Sequence, residues 1–335
     1  NCSHTSLGDF YQESSMLNTT QIFPLQTRWV NNKLYVIDAF TNSDKIKIKD
    51  EITHINNLPV AKIINNIYKH IQSQGYVKTS KKTFFNKWST EMIPYELNSP
   101  SLFKVKGKKT QIALSKVKKR IAPYNDTSIL RHRKNLHLDF IDNVDTAILT
   151  ISSFNYYPWN NLNEFEDFIS NSFKKINEKK TKNLVIDLRF NGGGSAESSI
   201  YLLKHLVNKP FTYFSKSTHK NMKAFSGNMY FIIDGNGKST TGHFMSKVKE
   251  LNLGKVIGEE LGSNHFCTAG QSVLRLKNTK LVYYVANTAS SLHSKFSFDY
   301  LGVQPDIFIT QSIDDYLNNH DTVKTQTLNL IKNEK

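Results

Sequence analysis

With 335 residues the chain is long enough for two or three domains, and 39% hydrophobic and 12% aromatic content supply real cores and exclude a fibrous or disordered chain. The longest apolar runs, LVIDL from Leu184 and MYFII from Met229, are strand-length, so no membrane span is expected. The net charge of +16 raises a nucleic-acid role, but the lysines are spread along the chain with only local clusters at Lys81–Lys82, Lys104–Lys109 and Lys116–Arg120. None is interleaved with a nucleic-acid motif, and no nucleic-acid partner is expected.

Cys2 and Cys267 are the only cysteines, giving neither a disulfide framework nor zinc-ligand spacing. A single Cys2–Cys267 bridge stays open, and no metal or cofactor is expected. The polar start NCSHTS carries no methionine or signal peptide and reads as the beginning of a trimmed mature region.

Five stretches follow one another. Residues 1–24 are polar and without periodicity. In residues 25–117, apolar positions Trp29, Leu34 and Val36 are followed by KIKDEITHINNLPV, a strand, turn and strand in which Asn56–Asn57 tolerates left-handed backbone. In AKIINNIYKHI, Ile63, Ile64, Ile67 and Ile71 fall at helical spacing. Residues 118–139 are basic and poorly patterned, a linker or inserted loop.

Residues 140–313 alternate strand and helix. TAILTIS is a strand, and Asn163–Ile176 a helix with Phe165, Ile169, Phe173 and Ile176 on one face. LVIDLR is a buried strand, Ala196–Val207 a helix, MYFIID a strand, TGHFMSKVKEL a helix and KVIGE a strand. This order predicts parallel pairing and an α/β core. Residues 314–335 form a helical tail.

DLRFNGGG, Asp187 to Gly194, sits between a strand and a helix. Three consecutive glycines weaken both neighbours, but they suit a turn whose N–H groups must point outward with no side chain in the way. With the positive end of the next helix, such a turn holds a phosphate or a developing oxyanion. Plain punctuation is the bland reading. The lysine and hydroxyl of a phosphate-binding Walker loop do not follow, and dinucleotide spacing is absent.

DLRFNGGG, then GNGKSTTGHF, KVIGEELG and DYLGVQPDIFI, in this order and spacing, resemble the S41 family of tail-specific, or C-terminal-processing, serine peptidases and the related core of tricorn peptidase. KIKDEITHINNLPVAKII resembles part of a PDZ domain more loosely. The resemblance implies an α/β, ClpP/crotonase-like core of βαβ units with a smaller PDZ-like α+β domain, a peptide or protein substrate and export to the periplasm or cell envelope.

The resemblance places Ser239 as nucleophile, where a strand ends, a glycine-bracketed turn follows and a helix begins. A serine there is also an ordinary helix N-cap; Thr240 and Thr241 are weaker candidates. The N–H groups of Gly192 or Gly193 and of Thr240 would form the oxyanion hole.

One branch of the family takes a lysine about two dozen residues after the nucleophile as base; here that position is Asn264, and neither Lys238 nor Lys255 replaces it. The tricorn-like branch uses a histidine early in the core, which Ser3-His4 matches, so His4 is the expected base. His265 is the alternative, and a histidine near a chain end is ordinarily frayed. The family acid, usually glutamate, corresponds to Asp299; Glu259 is an alternative that reads better as a structural partner. His243 falls where the family often has an acid and reads as a packing or solvent-facing residue. Asp187 and Arg189 read as a structural pair, and Pro305–Asp306 as a turn fixing the last strand.

The expected function is a serine endopeptidase or carboxyl-terminal-processing peptidase acting through an acyl-enzyme on Ser239. The alternatives are an inactive relative binding a peptide or lipid, and an acyl-CoA or ester-processing enzyme of the wider crotonase-like group.

Overall fold

A computed structural model describes residues 2–7, 23–97, 99–117, 135–218, 224–292 and 300–334. Asp299, most of the stretch 1–24 and residues 118–134 of the expected linker lie outside the described residues.

The central sheet contains β8 (Leu136–Ile141), β9 (Thr146–Ile151), β10 (Asn183–Asp187), β13 (Asn228–Ile233), β14 (Lys255–Gly258) and β17 (Ile307–Phe308), side by side in that order. The β9 to β17 pairings are parallel and β8 is antiparallel to β9. Strand β8 starts inside the stretch read from sequence as a linker. Helices α3 (Leu162–Glu178), α4 (Ala196–Leu206) and α5 (Thr240–Glu250) make the crossovers, so the α/β core expected from the alternating pattern is present.

Both faces of this sheet are covered. Ala147, Leu149, Leu184, Ile186, Phe231 and Ile233 point to the helix-covered side with Phe165, Phe173 and Phe244. The alternate positions Ile148, Val185, Tyr230 and Ile232 meet Val323 and Ile331 of α7 (Thr322–Asn333), which follows α6 (Ile313–Leu317). Burial on both faces is why these strands read as continuous apolar runs. At the end of β10, Arg189 bonds Asp187 at 2.6 Å and Asp321 at 2.7 Å; Asp321 also caps α7. The expected Asp187–Arg189 pair therefore gains a third member that fastens the tail helix to the core.

An N-terminal α+β module has its own core. Strands β2 (Gln26–Val30), β3 (Lys33–Asp38), β4 (Glu51–Ile55), β6 (Leu102–Val105) and β7 (Ile112–Ala113) form a sheet, with β5 (Leu58–Pro59) paired to β4. Asn56 and Asn57 adopt the left-handed backbone that joins β4 to β5. Helix α1 (Val60–His70) buries Ile63, Ile64 and Ile67; α2 (Lys78–Leu97) is kinked at Trp88. Gln74 donates to Asn264 at 3.0 Å, Lys82 pairs with Glu259 at 2.5 Å and Thr79 donates to Glu260 at 3.2 Å, fixing this module to the core.

A long hairpin, β15 (Phe266–Arg275) with β16 (Val282–Ser291), leaves the core and receives β1 (Ser6–Leu7) antiparallel on β16. A small hairpin, β11 (Phe211–Tyr213) with β12 (Lys216–Thr218), follows α4. No helix among the described residues is long and apolar enough to cross a membrane.

Candidate active site

The carboxyl ends of β10 and β13 carry two adjacent turns. After β10, Gly193 and Gly194 take φ of +96° and +140°, values that suit glycine alone. A Cβ on Gly193 would stand 2.7 Å from the Lys238 carbonyl oxygen, 2.8 Å from the Ser239 Cβ and 3.0 Å from the Thr240 nitrogen. The glycine turn thus lies directly against the Ser239 turn, and the triple glycine allows that approach.

Ser239 stands at the N-cap of α5 with φ 53° and ψ −124°, a strained conformation for a residue bearing a side chain. Its hydroxyl makes no capping bond, whereas Ser195, Ser312 and Asp321 cap their own helices with side-chain oxygens. The ordinary-cap reading of Ser239 therefore loses its support. Its Oγ lies 3.4 Å from the Sγ of Cys267, a buried thiol whose acidity burial weakens.

Ser239, Gly192, Gly193, Thr240 and His4 line one cavity of about 600 Å³. The Gly193 N–H is already engaged, donating to Asn191 Oδ1 at 2.9 Å. Among the described residues the Gly192 and Thr240 N–H groups have no backbone partner, Thr240 because it opens the helix. Of the sequence candidates, Gly192 and Thr240 thus carry the donors without a partner among the described residues, and Gly193 contributes close approach. Thr241 is buried and donates its hydroxyl to Asn191, so it is not a competing nucleophile.

His4 is half-buried and held, not frayed. Its carbonyl accepts from Gln271 at 2.6 Å, its N–H meets Cys2 Sγ at 3.4 Å, and Thr5 Oγ1 takes the Ala286 N–H at 3.2 Å. Nδ1 faces the hydroxyls of Ser3 at 3.1 Å and Thr268 at 3.4 Å. Desolvation, then the positive charge of Lys238, lowers the imidazole pKa below 6.5, so the ring is neutral at pH 7. No hydrogen bond joins His4 to Ser239 here; apo sites often show such loose contacts. His265, the sequence alternative, does not line the cavity.

Asn264 occupies the position of the lysine base of the other branch and is wholly engaged in structure. It donates to Leu301 at 2.6 Å and accepts from Phe266 and Gln74. Glu259 is buried and tied to Lys82 and Thr310, the structural role expected of it. Asp306 accepts from Val256 N at 2.8 Å and its own N–H bonds Val256 O at 2.7 Å, which fixes the start of β17. His243, read as packing or solvent-facing, is buried in the cavity wall. Cys2 and Cys267 are both free thiols.

Sequence reasoning missed Cys267, Ala269, Gly270, Gln271 and Ser290, which the β15–β16 hairpin brings to the cavity. No local motif marks them; only the pairing of two long strands places them there.

An α/β core with a strained serine beneath free backbone amides defines a serine-hydrolase type of site. Residues 145–309 match the family model Peptidase family S41, and this core belongs to that family of serine peptidases. No curated protein matches the sequence. Mature CPAF is similar in structure, with TM-score 0.60 and 13% identity, over 93% of this chain and 83% of that one. CPAF complexed with lactacystin gives 0.57 and 12%, over 93% and 82%. A peptidase structure from Parabacteroides merdae is matched with TM-score 0.46 and 16% identity, over 59% of this chain and 64% of that one, less than two thirds of its length.

Proposed function

We propose that the protein is a serine endopeptidase or carboxyl-terminal-processing peptidase that forms an acyl-enzyme on Ser239. The observation that carries this reading is the conformation of Ser239: strained, uncapped and set against the glycine turn in the cavity that also holds His4. His4 takes the hydroxyl proton as Ser239 Oγ attacks the peptide carbonyl. The oxyanion is held by the Gly192 and Thr240 N–H groups. His4 then returns the proton to the leaving amine, and water, deprotonated by the same ring, hydrolyses the ester.

The hydroxyls of Thr268 and Ser3 sit at Nδ1, where an orienting group belongs, leaving Nε2 for the serine. Asp299 is the acid that the family resemblance supplies for the same imidazole. The N-terminal module, PDZ-like by resemblance, would take an extended peptide end by strand addition. Export to the cell envelope belongs to the same reading.

The test is hydrolysis of an unstructured protein substrate by the wild-type chain and by Ser239→Ala. The wild type is expected to cleave it and the variant to lose at least 1,000-fold, in line with loss of a covalent nucleophile. Equal cleavage by both would overturn the assignment. No cleavage by the wild type would favour a relative that only binds its ligand.

A further inference from the structure

Past the carboxyl end of β9 the chain stays extended alongside the glycine turn. The Phe154 N–H bonds the Gly193 carbonyl at 2.9 Å, and the Ser195 N–H bonds the Phe154 carbonyl at 2.7 Å. Side chains alternate here as along a strand: Phe154 and Tyr156 are buried in the core, while Ser153, Asn155 and Tyr157 line the cavity that holds Ser239.

The chain then makes a tight turn before α3. The Tyr157 carbonyl accepts the N–H groups of Asn160 at 3.0 Å and Leu162 at 3.1 Å, and the Tyr157 N–H donates to Asn160 Oδ1 at 2.9 Å. Pro158 takes the second position, where its fixed φ suits the turn. These bonds fix the backbone that presents Trp159.

Trp159 is 78% exposed, the most exposed large apolar side chain among the described residues. It stacks on Tyr157, with ring centroids 4.5 Å apart and planes 19° from parallel. Tyr157 covers one face of the indole, and with so much of the residue exposed the opposite face is open. Apolar residues scattered singly over a surface are ordinary. A stacked pair on a fixed turn, one ring belonging to a residue of the cavity wall, is a continuous aromatic surface leading out of the site.

A polypeptide bound at Ser239 has to use that rim. An extended peptide advances about 3.4 Å per residue, so residues away from the scissile bond leave a cavity of about 600 Å³ across its edge. Rigid aromatic rings give large contact area there at little cost in side-chain entropy. A lysine or arginine side chain also finds attraction at a ring face, but the net charge of +16 opposes a cationic segment at long range.

We infer that Tyr157 and Trp159 form an aromatic platform that binds an apolar or aromatic side chain of the substrate polypeptide as it leaves the cavity. Such side chains are exposed in unfolded segments and buried in folded ones, so the platform selects unfolded chain. This rests on the reading of Ser239 as nucleophile.

The experiment is cleavage of unstructured peptides that share one cleavage sequence, mapped first in the unstructured protein substrate. They carry phenylalanine, serine or lysine at successive positions outward from it. A fluorophosphonate probe run in parallel reports whether the nucleophile is intact in each protein. At a fixed position the wild type is expected to show a KM about tenfold lower for phenylalanine than for serine, the difference lying in KM rather than kcat. Trp159→Ala is expected to erase that ratio and Trp159→Phe to keep most of it. A labelled wild type with no preference at any position overturns the inference. So does a labelled Trp159→Ala that keeps the ratio, or lysine serving as well as phenylalanine. Failure of the probe to label the wild type is instead a failure of the Ser239 reading, and Trp159 emission then decides the platform. It is expected to shift to shorter wavelength with the phenylalanine peptide; a response equal to that with serine overturns the inference.

Discussion

The side-chain oxygen of Asn191 accepts the N–H of Gly193 at 2.9 Å and the hydroxyl of Thr241 at 2.8 Å. Asn191 is fully buried, and its amide donates to the Ile151 carbonyl at 2.9 Å. One side chain therefore ties the end of β9, the glycine turn and the first turn of α5 into a single frame. Asn191→Ala takes the acceptor from the Gly193 N–H and the amide donor from the Ile151 carbonyl, each at a cost of about 1–3 kcal/mol, while the Thr241 hydroxyl keeps the Asn191 backbone carbonyl. Urea denaturation is expected to show a loss of about 2–5 kcal/mol, and the turnover of the folded fraction to fall more than its KM changes. Unaltered stability would contradict the frame.

Gly192 and Gly193 separate two functions of the triple glycine. At Gly193 an added Cβ would meet the backbone of Lys238 and Thr240 and the Ser239 Cβ, at a φ of +96° that side chains avoid. At Gly192 nothing stands within 4 Å of an added Cβ, and alanine keeps the N–H. Gly193→Ala is expected to lower kcat/KM by about 100-fold or more, comparable to loss of an oxyanion donor. Gly192→Ala is expected to lose far less. Parallel kinetics on the two variants check this, and equal losses would contradict it.

A base held neutral by its surroundings works further into acid. His4 is depressed first by desolvation and second by Lys238, so its deprotonated form persists below the ordinary histidine range. The acid limb of kcat/KM against pH is expected to have its midpoint below 6.5, activity falling as pH drops through it. Lys238→Met removes only the second cause and is expected to move that midpoint up. His4→Ala should abolish the limb together with most of the activity, and His265→Ala should leave its midpoint in place. A profile unchanged by Lys238→Met would show that the charge does not reach the base.

Much of this site can be read from the residues themselves. The buried strands and three crossover helices follow from apolar runs and helical spacing, because both faces of the sheet are covered and each helix has one dry side. Asn56–Asn57 announces its turn through a backbone conformation few residues accept. Other parts leave no local trace. Helix α2 is kinked at Trp88, contains Pro94 and buries polar residues such as Asn86, Ser89 and Glu91 beside its apolar ones, so its periodicity is blurred. The β15–β16 hairpin is half-exposed and interrupted at Gly270, and its contribution to the cavity depends on long-range pairing. The division of labour between Gly192 and Gly193 also needed the structure, since only there does Asn191 turn back on its own turn. His4 gains meaning in the same way: besides its neighbours Cys2 and Ser3, Thr268 and Gln271 of the hairpin hold it at the cavity.

The central claim is that Ser239 is an activated nucleophile. Reaction of the intact protein with a fluorophosphonate probe, followed by digestion and mass spectrometry, tests it most directly. The expected result is one adduct per chain, on Ser239, lost in Ser239→Ala and slowed in His4→Ala. An unlabelled wild type, or an adduct on another residue that survives in Ser239→Ala, would contradict the account.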